Sequence, residues 1–403
     1  MLRDNFLLAV RSLARFHLTI IINLRASPMN FTISQSQEQL KESARLFAEK
    51  EVFPTVIKRD EERLWSPNIF KRMGEFGLLG SIFSADYGGR SQSLFDYYLQ
   101  LQGFAEGGLD AGLSHAWGEH VLCGLQIEQF GSSEQKKKYI PQLCSGEKVG
   151  GYYLGDWERG FQAQTLQLKA VNQGDCLLVN GVAKAITNGI QGGLFVVAAA
   201  TEKDTIFTFI VETGLPGFRV EPSLARLGWK TCPIGDMYFE NCQVPQQNLF
   251  QVTDFKTILL LMQNWQRFQI VAPWTGIMKA LYDSCVNQAQ IRELLGKRVA
   301  DFSGIRAVLA NLRINYELSQ HLADSVAWLM THNWDRSLVE MAMTKVFISE
   351  KAQKVARDAV QLHGSNGLLL SQHVERLYRD AMLLTILGGD NEITRSAIAQ
   401  AIF

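Results

Sequence analysis

Three stretches near the end of the chain decide the fold. They are Gln361-Leu-His-Gly-Ser-Asn-Gly367, Val374-Glu-Arg-Leu-Tyr-Arg-Asp380 and Thr385-Ile-Leu-Gly-Gly-Asp-Asn-Glu-Ile393, the last followed by Arg395. The first is a turn rich in glutamine and glycine, the second has the pattern of a helix, and the third is a loop that leads into a final helix. The sequence therefore predicts two short helices at this end of the chain, separated by glycine-containing turns.

Composition sets the broad class. The chain has 403 residues, of which 47% are hydrophobic and 20% are charged. This length predicts two or three packed domains of ordinary globular composition. Forty basic residues balance forty acidic ones, so nothing predicts a nucleic-acid partner. Six cysteines are scattered without a C-x-x-C pair, which favours reduced thiols and a cytoplasmic location.

Residues 1–28 differ from the rest of the chain. They contain four arginines against one acid, Asp4, and an apolar run from Leu18 to Leu24. The run is shorter than the roughly 20 residues that span a bilayer, so no membrane span is expected. A transit peptide, a short membrane-associating helix and translation upstream of Met29 are all compatible with this composition. We treat residues 1–28 as a leader or start-site extension, expected to be disordered.

Periodicity divides the remaining chain into three segments. Residues 29–148 have helical spacing, with capping boxes predicted at Ser36-x-x-Gln39 and Ser132-x-x-Gln135. Residues 149–250 contain short β-branched and aromatic runs separated by Gly, Asn and Pro, as in a small antiparallel β-domain. Residues 251–403 return to long 3.6-residue periods, which predict a helical bundle.

This order of segments, together with the C-terminal stretches, resembles the acyl-CoA dehydrogenase family over residues 33–403. Further landmarks are Lys184-Ala-Ile-Thr-Asn-Gly189, Phe239-Glu-Asn-Cys-Gln-Val-Pro245 and Arg292-Glu-Leu-Leu-Gly-Lys297. The resemblance implies an α+β fold that is mostly α: an N-terminal helical domain, a middle antiparallel β-domain and a C-terminal four-helix bundle. It also implies a divergent member, of the kind that acts on carrier-protein thioesters in polyketide or nonribosomal peptide pathways.

FAD is the cofactor that the resemblance implies. The matching positions are Leu154, Gly155, Ile186, Thr187, Arg292, Phe302, Gln361, Gly364, Ser365, Asp390 and Asn391. Thr187 matches a threonine whose hydroxyl lies near the flavin, and Arg292 matches an arginine that reaches the FAD pyrophosphate across a subunit interface.

Several flavin-site positions depart from the family. Ala185 replaces a tryptophan that packs on the flavin, and Gly155 replaces a threonine. The next loop carries Trp157, Arg159 and Phe161 where the family has small residues. Such a loop either reshapes the acyl pocket or partly closes the flavin face. The alternative is a drifted surface loop in a protein that no longer uses flavin.

The base expected from the resemblance is missing. In most members a glutamate at the position of Gly388 removes the α-proton of the acyl thioester, and in one branch it stands at the position of Gln266. Asn264 and Arg267 match substrate-contacting positions, and Arg395 matches an arginine near the nucleotide end of CoA. The carboxylates that could replace the base are Asp156, Glu158 and Asp390.

No metal site is expected. His115, His120 and Cys123 are close in sequence, but their spacing is not that of a helical zinc pair. Histidines of the core or of a pocket wall explain them better.

Three functional hypotheses follow. The first is a flavin oxidoreductase that acts on an acyl thioester of CoA or acyl carrier protein by a route without the usual glutamate. The second is a flavin-dependent monooxygenase on the same scaffold. The third is an inactive flavin-binding or assembly partner. For an enzyme, the expected electron acceptor is an electron-transfer flavoprotein or O2, and the expected assembly is a homo-oligomer.

Overall fold

The computed structural model describes residues 33–155, 164–251 and 255–402. Residues 1–28, the expected leader, lie outside this part of the chain. The described N-terminal helices are α1 (Gln35–Glu51), α2 (Val56–Glu62), α3 (Pro67–Phe76), α4 (Leu94–Gly108), α5 (Ala111–Phe130) and α6 (Ser133–Cys144). Helix α5 lies at the centre of this domain, and every residue from Ala111 to Ile127 is buried.

Side-chain caps start these helices. The capping box of α6 joins Ser132 and Gln135, as predicted. The box of α1 was predicted two residues too late, because it joins Ser34 and Gln37 rather than Ser36 and Gln39. The Ser34–Gln37 and Ser36–Gln39 pairs both have the required spacing. With Ser34 as the cap, however, Gln37 also donates from Nε2 to Asp96 on α4 at 2.9 Å. A contact between distant helices therefore selects the helix start.

The middle segment forms one seven-stranded sheet. Its strands are β1 (Gly150–Tyr153), β2 (Lys169–Asn172), β3 (Cys176–Thr187), β4 (Leu194–Ala200), β5 (Ile206–Glu212), β6 (Phe218–Pro222) and β7 (Ile234–Pro245). The order is β1-β4-β2-β3-β7-β6, with β5 paired to β4. Most pairings are antiparallel, as expected. Two pairings are parallel. All of β1 pairs with β4, and β2 pairs with β4 at Lys169 and Ala200.

The C-terminal segment is helical. Its elements are α7 (Phe255–Ile291), a hairpin of β8 (Glu293–Leu294) and β9 (Lys297–Arg298), α8 (Ser303–His332), α9 (Trp334–His363), α10 (His373–Ala381) and α11 (Asn391–Gln400). The three long helices cover the predicted periodic stretches. Two short helices, α10 and α11, stand where a fourth long helix of the expected bundle would be. The order of helical, β and helical segments confirms the predicted α+β fold.

A buried ion pair lies within the first segment, and its carboxylate also binds the middle segment. Asp110 caps α5 by accepting from Leu113 N at 2.9 Å, and it also accepts from Arg59 at 2.7 Å and from the Thr231 hydroxyl at 2.6 Å. Burial alone would raise the pKa of Asp110, but Arg59 and these hydrogen bonds hold it below its usual value. Helix α5 is therefore tied to α2 and to the loop before β7.

All six cysteines lie in described residues and none forms a disulfide. Among the helices in residues 33–155, 164–251 and 255–402, none combines the length and the apolar character needed to cross a bilayer.

The ion pair gives a stability prediction. Replacing Asp110 by Ala leaves the Arg59 charge buried without its partner, so we expect the free energy of unfolding to fall by about 3–5 kcal/mol. Urea denaturation followed by circular dichroism measures the change. The control is Glu49→Ala, which breaks an exposed pair with Arg45 and should cost less than about 1 kcal/mol. Equal losses in the two variants would contradict this assignment.

Candidate active site

A cavity of about 790 Å³ lies where the three segments meet. Helix α5 and strand β1 form one part of its wall, and the end of β3 forms another. Helix α7 and the turn after α10 complete it through Gln266 and Leu387. It is larger than two other cavities in the described part of the chain, which measure about 360 and 640 Å³. A cavity of this size holds a large organic ligand.

Four of the predicted cofactor residues line this cavity: Leu154, Gly155, Ile186 and Thr187. Ile186 and Thr187 end strand β3, and Gly155 follows β1 with φ 122°, in the region that favours glycine. The Thr187 hydroxyl lies 3.3 Å from His115 Nε2, so it is already positioned by α5. The structure thus brings together positions that are separate in sequence.

Ala185 stands at an irregular point of the same wall. The pairing of β3 with β7 shifts register between Ala183 and Ile186, and Ala185 has a left-handed φ of 56°. Its N–H donates to Asp236 at 2.8 Å, which holds this bulge. The small side chain leaves open space where the resemblance predicts a tryptophan. The loop residues Trp157, Arg159 and Phe161, and the carboxylates Asp156 and Glu158, lie outside the described residues.

A second cavity, of about 640 Å³, contains other predicted cofactor residues. Arg292, Phe302 and Gln361 line it together, although the hairpin, α8 and α9 supply them separately. Arg292 donates to Leu362 O at 3.2 Å and packs over Gly364. A Cβ at position 364 would lie 2.6 Å from the guanidinium, so glycine is needed there. Ser365 is exposed on the turn that follows.

The two positions matched to the base are neutral and differ in setting. Gln266 faces the large cavity from α7. Gly388 is buried in the turn before α11 with φ 70°, and a Cβ there would lie 2.5 Å from Ile270 Cδ1. The backbone of this chain has therefore adapted to the absence of a side chain at 388.

The predicted substrate residues are less accessible than expected. Asn264 is fully buried between α7 and α9, where it donates to the Ser337 hydroxyl at 2.9 Å and does not line the cavity. Arg267 is mostly buried beside Gly388, and burial lowers its pKa to about 10. Arg395 is exposed on α11 and pairs with Glu350 and Glu392.

Asp390 and Asn391 are engaged within the protein. Asp390 caps α11 by accepting from Glu392 N at 2.8 Å. Asn391 is buried and accepts from Lys345 Nζ at 2.8 Å, while it donates to Ser349. The Lys345 ammonium, which the sequence did not single out, also donates to Gly389 O at 2.6 Å. A buried cation thus holds the turn that contains Gly388.

Sequence reasoning also missed Glu119. This residue is 5% exposed, lies one helical turn after His115 and lines the large cavity with it. The His115–Glu119 spacing of four residues, within a buried helix, was the signal that could have found it. His120 was correctly assigned to the core, because its Nδ1 accepts from Gly150 N and its Nε2 donates to Leu143 O.

Comparisons with known proteins agree with this architecture. Family models match in order: "Acyl-CoA dehydrogenase, N-terminal domain" at residues 34–147, "middle domain" at 152–242 and "C-terminal domain" at 258–403. A probable acyl-CoA dehydrogenase of Bacillus subtilis (strain 168) is 31% identical, covering 93% of this chain and 100% of the relative. These matches extend over nearly all of the described residues.

Two solved structures are similar over the whole fold. Butyryl-CoA dehydrogenase from Megasphaera elsdenii is 27% identical, with a TM-score of 0.85, and the match covers 93% of this chain and 100% of that one. The prolyl acyl carrier protein oxidase AnaB is 26% identical, with a TM-score of 0.86, over 92% of this chain and 100% of that one.

Both cavities fit FAD. The large one has room for a planar ring system beside Thr187, and the second offers the Arg292 guanidinium, which suits phosphate oxygens. Gly364 keeps the space that Arg292 needs. Three domain models of one family match in chain order, and a relative of that family matches over its full length. Together they determine the family of this chain. The chain is an FAD-dependent oxidoreductase that belongs to the acyl-CoA dehydrogenase family.

Proposed function

We propose that this chain oxidises an acyl thioester, carried by CoA or by an acyl carrier protein, without the glutamate base that is usual in its family. One observation carries the proposal. The large cavity has flavin-site residues on one wall and Gln266 on another, close to the turn with Gly388, and neither of these two positions provides a carboxylate. FAD, when bound, accepts a hydride. The residues of the chain have to hold the thioester and manage the proton.

A carrier protein is the favoured source of the thioester. Arg395, matched to the nucleotide end of CoA, already has two carboxylate partners, Glu350 and Glu392. A CoA phosphate would have to compete with both for the same guanidinium. AnaB, a carrier-protein oxidase by name, is similar over the whole fold. The electron acceptor is then an electron-transfer flavoprotein or O2, and the setting is the cytoplasm.

The cavity lining favours a polar acyl group. His115, Gln167, Gln263 and Gln266 all line it. Polar groups that lose contact with water when a ligand binds cost free energy unless the ligand gives them new hydrogen-bond partners. A hydroxyl or amino substituent on the acyl chain would supply such partners, whereas a plain alkyl chain would not.

Purified protein tests the function directly. We expect a yellow protein with the visible bands of oxidised flavin. Anaerobic addition of a hydroxyacyl or aminoacyl carrier-protein thioester should bleach these bands. Butyryl-CoA and octanoyl-CoA should react about 10²–10⁴-fold more slowly than in members with a glutamate at 388 or 266, because a general base contributes about that factor. A colourless protein, or efficient desaturation of both CoA thioesters, would contradict the proposal.

Arg292 tests the assignment of the second cavity. We expect Arg292→Ala to weaken FAD binding by about 1.5–3 kcal/mol, the range for a hydrogen bond to a charged group. This is about 10–150-fold in Kd, measured from flavin fluorescence on titration of the apoprotein. Arg298→Ala is the control, since Arg298 is exposed on the same hairpin and does not line the cavity. Unchanged affinity in Arg292→Ala would show that FAD binds elsewhere.

The same arginine bears on assembly. We propose a homo-oligomer in which Arg292 and the 361–367 turn complete the FAD site of a neighbouring copy. Support comes from the second cavity, which contains Arg292 and Gln361 yet is separate from the cavity that contains Thr187. Sedimentation of the flavin-loaded protein as a monomer at micromolar concentration would contradict this arrangement.

Position 388 offers a gain of function. We expect Gly388→Glu alone to be impaired, since φ 70° costs a non-glycine residue about 1–2 kcal/mol and the new Cβ meets Ile270. Combined with Ile270→Ala, the glutamate should produce measurable α,β-desaturation of butyryl-CoA. Gly388→Gln with Ile270→Ala has the same shape without a base. Equal activity of the two double variants would show that the substrate does not lie beside residue 388.

A further inference from the structure

Glu119 is a carboxyl group that the fold buries without pairing. It lies on the central helix α5, is 5% exposed and lines the large cavity. Its Oε1 has no hydrogen-bond partner within the described residues. Buried polar atoms are nearly always hydrogen-bonded in folded proteins. Because Glu119 both departs from this rule and lines a cavity, a ligand in that cavity can supply the partner that its carboxyl group lacks.

Within the part of the chain that the structure describes, no charged cation lies within 4 Å of this carboxyl. The nearest basic atom is His115 Nε2, at 3.9 Å from Glu119 Oε1. Burial, with the Arg226 charge, lowers the pKa of His115 to about 3, so this imidazole is neutral at physiological pH. The Tyr152 hydroxyl on β1 is close to Glu119, yet it too completes no hydrogen bond of normal geometry with the described atoms.

The protonation of Glu119 can change near neutral pH. Burial raises its pKa to about 8, and the Tyr152 hydroxyl opposes this rise. The charged or titratable groups around it come from several elements: His115, Tyr97, Tyr152, Arg226 and Cys232. Burial raises the pKa values of both tyrosines and of the cysteine, so these groups stay neutral. A carboxyl with a pKa close to the working pH is well suited to proton transfer.

We propose that Glu119 is the proton acceptor of this active site and takes the role that the neutral residues Gln266 and Gly388 cannot perform. The inference rests on the proposed thioester oxidation. Its physical basis is that Glu119 lines the same cavity as Thr187 and Gln266 and has an oxygen without a hydrogen-bond partner among the described residues. The acceptor therefore belongs to α5, whereas the family positions belong to α7 and to the turn before α11.

Oxidation of the acyl group removes two hydrogens, a proton from the α-carbon and a hydride from the β-carbon, and FAD, when bound, would accept the hydride. The electron pair of the broken α-carbon–hydrogen bond becomes the second bond of the new carbon–carbon double bond. The proton joins an oxygen of Glu119, and the carboxylate becomes a carboxylic acid. Since only the ionised form accepts, activity should rise with pH through about 8.

Proton transfer can be measured apart from oxidation. The probe is the 3-hydroxybutyryl thioester of N-acetylcysteamine in D2O, incubated anaerobically with the dithionite-reduced holoenzyme, in which net oxidation is blocked. Deuterium incorporation at the α-carbon is followed by mass spectrometry. We expect Glu119→Gln to lower the exchange rate by about 10²–10⁴-fold and to abolish its rise with pH. Glu119→Asp should retain part of the exchange.

Glu128→Gln is the matched control. Glu128 lies on the same helix, does not line the cavity and accepts from Ser84 N at 2.8 Å, a bond that glutamine also accepts. Circular dichroism and flavin content show whether each variant is folded. An infrared band of a protonated carboxyl group, lost in Glu119→Gln and titrating near pH 8, is the second expected result.

The outcomes separate the two proposals. In one outcome, the parent protein exchanges the α-proton in a Glu119-dependent way but oxidises no thioester under turnover conditions. This outcome supports Glu119 as the proton acceptor and refutes the proposed function. Oxidation by the parent that survives unchanged in folded Glu119→Gln, with the same pH profile, overturns the proton acceptor. A parent protein that neither exchanges nor oxidises any thioester offered overturns both.

Discussion

The buried contact between Asp110 and Arg59 is the constraint on which the active-site architecture depends. Asp110 begins α5, so its position fixes the start of the helix whose next turns carry His115 and Glu119. The same carboxylate receives Thr231 from the loop before β7. In this loop, the Trp229 ring packs against the His115 ring with 4.2 Å between the ring centroids, and the Trp229 backbone N–H donates to Asp380 at 2.6 Å. The Asp110 carboxylate therefore sets the positions of α5 and of the loop before β7. The Asp380 carboxylate connects this loop to α10.

Much of the fold could be predicted from the sequence because its signals are local. Proline at the start of α3, the Ser132–Gln135 cap and the long periodic stretches each depend on residues a few positions apart. The failures involve distant partners. Asp96 selects the true start of α1, and the parallel pairing of β1 with β4 has no counterpart in a local pattern. Composition shows that residues 149–250 contain strands, whereas it gives neither all of their boundaries nor their order.

The candidate site divides in the same way. Motif resemblance located Thr187, Gly155, Arg292 and Gln361, and the structure brings them into two cavities. The motif resemblance could not show that Asn264 is buried against Ser337, because this burial depends on how α7 packs against α9. For a related reason, the sequence did not predict Glu119 as a site residue. A single glutamate in an apolar helix has no motif, and only the fold shows that it lines a cavity with no partner for its Oε1 among the described residues.

The parallel pairing of β1 has a consequence for the order in which the chain folds. Gly150 pairs with Leu194, so β1 stays unpaired on that side until β4 has been synthesised. The helices up to α6 precede β1 in the chain, and their contacts do not require the sheet to be complete. Contacts between residues far apart in sequence form slowly because a long loop has to close first. Tyr152 lies on β1, so this wall of the cavity takes its final form only after the central strands have assembled.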